Sequence, residues 1–162
     1  MTIRTVKFLT FLFLIFSSCG SKEFDCDDMP IQPAFIGFQL TEIDTLIFRK
    51  FKPNEDFRNL VDTTVVTFNN LYRTTDDTTK IIHFKLSDGI KPGFDWQLFI
   101  PAIKRTIIVS DIASNKKSGS CGTRAVGSAC TCLNDLFSAK QDGSIITFSD
   151  VNNESPFIYI RK

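Results

Sequence analysis

Most of the apolar runs of this chain place hydrophobic residues at every second position, and this period constrains its fold more than any other feature. In the run from 94 to 100, for example, Trp96 and Leu98 share a face that Asp95 and Gln97 do not. Successive side chains of a strand point to opposite faces, so a period of two predicts half-buried strands. The apolar runs are 34–40, 43–51, 65–68, 81–86, 94–100, 107–112, 145–148 and 157–160.

Turn residues separate these runs and favour short connections. Asp142-Gly143, between residues 136–140 and 144–148, is a strong hairpin signal, and Pro101 is expected to end a strand. Only 132–139 also has helical spacing. We therefore expect an all-β, single-domain, antiparallel β-sandwich of about seven to nine strands, immunoglobulin-like or transthyretin-like, with a small β-barrel as the alternative.

Composition excludes some functions. The chain has 19 Lys and Arg against 18 Asp and Glu, and this neutrality argues against nucleic-acid binding, which needs a basic surface. It has 17 Phe but two Tyr and one Trp. Phe carries no polar group, so we expect most of these rings in the core.

The N-terminus has the pattern of an export signal. Arg4 and Lys7 precede an apolar run at 8–16, which is far shorter than the ~20 residues of a membrane-spanning helix. Phe16-Ser17-Ser18-Cys19 resembles the lipobox of bacterial lipoproteins, in which the cysteine is acylated and becomes the first mature residue. This resemblance implies a signal peptide at 1–18, a lipidated Cys19 with an acidic tether at 19–33, and a folded domain at 34–162.

The residues after Cys19 bear on the location of the protein. Gly20, in place of Asp, resembles outer-membrane sorting. The acidic stretch at 21–28 resembles a signal that some Gram-negative bacteria use to export lipoproteins to the cell surface. We therefore expect a lipid-anchored outer-membrane protein. The sequence is consistent with a position on the cell surface and with one on the periplasmic side.

Four further cysteines are expected to form two disulfides, because an even number in an exported chain favours a closed framework. Bridging Cys130 to Cys132 would close a strained ring. Two pairings remain, Cys26–Cys130 with Cys121–Cys132, or Cys26–Cys132 with Cys121–Cys130. The sequence lacks C-x2-C spacing, so neither a zinc site nor a redox site is favoured over structural bridges.

Candidate binding residues lie in two places. The loop expected at 113–129 contributes Lys116, Lys117 and Arg124, and Trp96 is the one aromatic residue suited to a carbohydrate platform. His83, the only histidine, is expected to be an exposed strand residue. No catalytic residue, metal ligand or cofactor is expected.

The segment 94–112, with the leader and the C-terminal cysteine cluster, resembles small uncharacterised bacterial lipoproteins. That resemblance implies lipidation and a β-rich exported domain but no activity. We expect a non-enzymatic binding or structural module of the envelope, with a protein or glycan partner. The alternative is a small envelope hydrolase or glycan-processing enzyme that uses carboxylates.

Overall fold

The computed structural model describes residues 22–67, 72–74, 78–83, 89–121, 132–148 and 156–162, and in these the chain is all-β. The strands in chain order are β1 (Lys22–Asp25), β2 (Asp27–Asp28), β3 (Gln32–Ile36), β4 (Thr45–Phe51), β5 (Leu60–Thr67), β6 (Tyr72–Thr74), β7 (Thr79–Ile82), β8 (Asp95–Ile100), β9 (Arg105–Asn115), β10 (Ser118–Cys121), β11 (Leu133–Gln141), β12 (Ser144–Thr147) and β13 (Phe157–Arg161). They belong to two compact units, of which the larger takes 28–115 and 133–162 and the smaller takes the residues up to 27 with 116–132.

The larger unit contains two sheets, as the sandwich prediction requires. In one sheet the strands run in the order β12-β11-β9-β8-β4-β5, and in the other β13-β3-β7-β6. Packed sheets, one of them curled into a half-barrel, are consistent with a sandwich or a small barrel. The predicted antiparallel pairing has one exception, since β3 and β13 are parallel. A parallel pair needs a long crossover, and these two strands lie near opposite ends of the chain.

Both sheets contribute to one hydrophobic core. Phe35 and Ile158 come from the smaller sheet, and Leu46, Leu98 and Ile107 come from the larger one; all five are fully buried. The alternation predicted for 43–51 and 94–100 is confirmed for Leu46 and Leu98, which lie on the core side. Fully burying a side chain of this size contributes about 1.5–3 kcal/mol, so the paired sheets are held mainly by this core.

The predicted hairpin at Asp142-Gly143 is confirmed, because Gln141 and Ser144 are direct partners of β11 and β12. Asp142 and Gly143 have φ values of 49° and 83°, the left-handed conformations of a two-residue turn that follows the twist of its strands. The Asp142 carboxylate also accepts a hydrogen bond of 2.8 Å from the backbone N–H of Ile108. The turn therefore joins β11 to β12 and is tied to β9.

Replacing Gly143 by alanine is expected to lower the free energy of unfolding by about 1–2 kcal/mol, since an L side chain is strained at positive φ. Nothing lies within 4 Å of the added Cβ, so the loss would come from the backbone alone. Urea denaturation measures it. Ser144→Ala is the matched control and should change the midpoint little; an equal loss in the two variants would contradict the assignment.

Part of the segment 19–33, which was expected to be a tether, pairs or packs with other strands. Within this segment β1 pairs antiparallel with β10, so that Phe24 lies opposite Gly119. Further along, in the larger unit, Met29 and Ile31 are buried and Ile31 forms a bridge to Ile90. Backbone pairing and apolar burial order these residues, whereas their acidic neighbours alone indicated a solvated linker.

Candidate functional site

Strand β5 is the most exposed apolar element of the larger unit. Among the described residues its one neighbour is β4, so it forms an edge of the larger sheet. Leu60, Val61 and Val65 have 55%, 47% and 59% of their surface exposed, and only Val66 of this strand is buried. An edge strand presents unpaired backbone N–H and C=O groups, so this strand joins polar backbone to exposed apolar side chains.

The apolar surface continues from β5 across the outer face of the sheet. Val65 lies opposite Ile47 of β4, and Ile47 lies opposite Phe99 of β8. Ile47 and Phe99 are both partly buried. The guanidinium of Arg49 lies 5.5 Å from the centre of the Phe99 ring, a distance typical of a cation–π contact. We call Leu60, Val61, Val65, Ile47 and Phe99 the β5 surface.

The loop at 52–59 closes one end of this surface. Its Phe57 packs edge-on against Phe51, with ring centres 5.3 Å apart, and the backbone N–H of Asn54 donates a 3.0 Å hydrogen bond to the Asp95 carboxylate. Asn54, Asp56 and Phe57 all have positive φ. The loop thus covers Asp95, which the sequence placed on the polar face but which is buried.

Trp96 lies in the core and not on an exposed platform, which corrects its assignment as a carbohydrate-binding residue. Only 8% of it is exposed, and its indole N–H donates a 3.0 Å hydrogen bond to the carbonyl oxygen of Lys91. The Lys50 ammonium lies 3.7 Å from the centre of the Phe94 ring and 5.8 Å from that of Trp96. The ammonium group of Lys50 thus packs against two aromatic rings that belong to the core or lie against it.

In the smaller unit, Cys26 is bonded to Cys132, with 4.9 Å between their Cα atoms. The sequence left two pairings open, and this bridge belongs to the one in which Cys121 would pair with Cys130. The backbone of Cys121 pairs with that of Lys22. Cys130, Cys19 and Arg124 lie outside the described residues, so the second bridge, the lipidation and the Arg124 assignment stay predictions.

The predicted loop at 113–129 is partly strand. β9 continues to Asn115 and β10 takes Ser118–Cys121, so Lys116 and Lys117 occupy the short connection between them. Both lysines are exposed, and their role in binding stays a prediction. The carbonyl oxygen of Lys117 accepts a 3.0 Å hydrogen bond from the backbone N–H of Cys26, which fixes this turn beside the disulfide.

Gly119 is required by a close approach in the smaller unit. A Cβ at this position would lie 2.6 Å from the Phe24 ring and 2.8 Å from the Cys132 sulfur. The ring is anchored on β1 and the sulfur is held in a disulfide, so neither can move away cheaply. Only glycine lets the aromatic ring and the bridge lie together over β10.

Gly119→Ala is therefore expected to destabilise the β1–β10 pairing by about 1–3 kcal/mol, the usual cost of overpacking. Hydrogen–deuterium exchange of the peptide that contains 22–25 should become at least about fivefold faster, by the conversion of 1.4 kcal/mol per factor of ten. The neighbouring Ser118→Ala serves as the control and should exchange like the parent. Unchanged exchange in Gly119→Ala would show that the contact is not constraining.

The carboxylate of Asp28, outside the β5 surface, holds separate strands together. The Asp28 carboxylate accepts hydrogen bonds from the Asn134 amide at 2.8 Å and the Ser114 hydroxyl at 3.3 Å. Asn134 is fully buried, so Asp28 satisfies a polar group that burial would otherwise penalise. Over the described ranges no three His, Cys, Asp or Glu residues gather as a metal-binding group would. His83 is exposed, as predicted, but follows the end of β7.

Two exposed ion pairs shift pKa values. The hydrogen bond from Lys162, followed by that from the Gln39 backbone, holds the pKa of Glu42 below its usual value. The hydrogen bond to Asp111 holds the pKa of Lys140 above its usual value, and the charge of Asp111 adds to this. Each pair joins separate strands or turns, and none of these four residues belongs to the β5 surface.

Comparison with known proteins gives no match: no family model, no curated protein and no solved structure is similar to this chain. In the part of the chain that is described, no helix has the length and hydropathy needed to cross a bilayer.

Proposed function

We propose that this protein is a lipid-anchored lipoprotein of the bacterial outer membrane and that its sandwich is a non-catalytic module which binds another protein through the β5 surface. The anchor is supported by the lipobox-like sequence that ends at Cys19. The binding role rests on one observation, the exposed apolar face and edge that Leu60, Val61 and Val65 form on β5. Large exposed apolar patches commonly mark interaction sites.

The chemistry of the surface favours a protein over a glycan. Apolar side chains beside an open strand edge fit strand addition, in which backbone hydrogen bonds give affinity and side-chain contacts give specificity. A glycan platform needs an exposed Trp or Tyr ring; Trp96 is buried, and the exposed Tyr159 lies on β13 and not on the β5 surface. Asp28 and Asp95 both engage in structural hydrogen bonds, which supports a binding role over carboxylate chemistry.

A photocrosslinking experiment on the full-length chain in the membrane of its native host tests the binding role. Benzoyl-phenylalanine replaces Val65 in one variant and Ile145 of β12 in the other, the latter being 72% exposed on a different edge. We expect one discrete protein adduct at position 65 and none at 145. No adduct at 65, or the same adducts at both positions, would contradict the proposed function.

The anchor is tested separately in the same cells. The parent chain should incorporate a labelled fatty acid and stay with the membrane fraction, whereas Cys19→Ser should lose the label and leave that fraction. Lys22, a few residues later, gives the control variant Lys22→Ser, which keeps the lipobox-like sequence and should keep the label. Equal labelling of parent and Cys19→Ser would contradict lipidation at this residue.

A further inference from the structure

We propose that the protein bound at β5 is a second copy of this chain, and that the two β5 strands pair antiparallel with Thr63 on the two-fold axis. This inference rests on the proposed function, because it takes the β5 surface as the interaction site. To the proposed function it adds the identity of the partner and the register in which the two strands pair. The result would be one continuous sheet that runs through both protomers.

β5 differs from the other edges of the larger unit in being open to strand addition. It has eight residues, whereas β12 has four and β6 has three. Short edges resist pairing, as do edges with Lys or Pro. The fourth edge, β13, ends in Arg161 and is followed by Lys162. β5 contains neither Lys, Arg nor Pro, and six of its eight residues are Val or Thr.

The sequence of β5 complements itself in one register. If Thr63 lies opposite Thr63 of the second copy, Asp62 lies opposite Thr64. Against β4 the register of β5 shifts between Asp62 and Leu60, which lie opposite Lys50 and Phe51, so the regular alternation of β5 begins at Asp62. Residues that face each other across an antiparallel pair share a face, so the outward Thr63 and Val65 of both copies lie on one side. Val66, which points into the core, stays on the core side in both protomers.

The position of the charged Asp62 favours this register over the neighbouring registers of the β5 pair. Asp62 is the only charged residue of β5, and in the proposed register it lies opposite Thr64. A shift that keeps inner and outer faces aligned places Asp62 opposite Asp62 in one direction, where like charges destabilise the pair. In the other direction it places Asp62 opposite Val66, whose side chain is buried. A shift of one residue instead opposes inner and outer faces.

Cysteine crosslinking tests the register directly on the full-length chain in its native membrane. Thr63→Cys places two thiols directly opposite each other, at a Cα separation of about 4.5–5.5 Å, which a disulfide spans. Mild oxidation should convert this variant to a disulfide-linked dimer on a non-reducing gel. The parent chain, oxidised in parallel, controls for its own five cysteines.

Val65→Cys is the matched control because it lies on the same strand and face. In the proposed register its thiol and that of the second copy are four residues apart along the strand, roughly 13 Å. We expect Thr63→Cys to crosslink at least about tenfold faster than Val65→Cys, since disulfides form only over short Cα separations. Equal rates, or faster crosslinking at Val65→Cys, would overturn the register.

A charge variant provides an independent measurement. Thr63→Lys places two ammonium groups against each other at the axis and should abolish the dimer, whereas Ile145→Lys on β12 should leave it intact. Sedimentation of the detergent-solubilised full-length chains measures the oligomeric state. A monomeric parent, or a dimer that survives Thr63→Lys, would overturn the proposal.

The two proposals fail differently in the photocrosslinking experiment. An adduct at position 65 with the mass of two copies supports both. An adduct that contains another protein overturns the self-pairing but leaves the binding role of the β5 surface standing. The absence of any adduct at 65 overturns the proposed function, and the self-pairing with it.

Discussion

Removal of the Cys26–Cys132 disulfide is expected to lower the free energy of unfolding by up to about 4.7 kcal/mol, the chain-entropy value for a loop of about 100 residues. The two cysteines are 106 residues apart in sequence, so the bridge closes a loop that includes most of the strands. Without it the unfolded chain gains far more conformations than the folded one. Few single changes in a domain of this size have a larger effect.

The measurement is guanidinium denaturation of a chain that begins at residue 20, in the parent form and as Cys26→Ala with Cys132→Ala. Replacing both cysteines avoids a free thiol that could form other bridges. The parent, denatured under reducing conditions, should match the double variant to within about 1 kcal/mol, unless a second disulfide adds its own contribution. A difference of less than about 1 kcal/mol between the oxidised parent and the double variant would contradict the expectation.

Phe35→Ala is expected to cost about 3–5 kcal/mol, because the change removes a large buried ring and leaves a cavity. Phe35 is fully buried in the centre of the smaller sheet and packs edge-on against Phe38, with ring centres 5.7 Å apart. The lost ring would leave both the core and this aromatic pair incomplete. Loss of stability should be accompanied by an unchanged strand content in circular dichroism at low denaturant.

Phe137→Ala is the matched control for this prediction. Phe137 lies on β11 with 47% of its surface exposed, so the same change of side chain should cost about 1 kcal/mol or less. Urea denaturation of both variants gives the comparison. Equal losses at Phe35 and Phe137 would show that the core does not extend through β3 as described.

The sequence predicted best those strands that are buried on one face. β4 and β8 alternate, and Leu46, Phe48 and Leu98 lie on the core side as expected. In β3 the alternation fails, because Ala34 and Phe35 are consecutive and both fully buried. The first four residues of β3 are all buried, and a strand that is covered on both faces loses the polar half of its pattern.

Trp96 shows how a residue can be assigned to two incompatible places. The period-two pattern put it on the apolar face with Leu98, while its residue type favoured an exposed carbohydrate platform. The structure agrees with the pattern. The prediction that Asp95 lies on an exposed polar face was wrong for a different reason, because the loop at 52–59 covers that face at Asp95. A loop that folds back over a sheet leaves no periodic signal in the strand.

The β5 surface could not be located from the sequence, although its composition gives a signal. The run from Leu60 to Thr67 holds apolar and β-branched residues on both faces, which is equally consistent with a central strand and with an open edge. Which strand lies at an edge depends on pairings between distant residues, such as β4 with β8. Likewise the sequence left two disulfide pairings, and only the position of Cys132 beside Cys26 decided between them.

The parallel pairing of β3 with β13 has a consequence for biogenesis. Arg161 of β13 lies opposite Ile36 of β3, so the smaller sheet stays incomplete until residues 157–161 are present. Ile158 and Ile160 belong to the core, and contacts between such distant residues slow folding because long loops must close first. The smaller sheet can therefore close only after β13 has been synthesised and has travelled back to pair with β3.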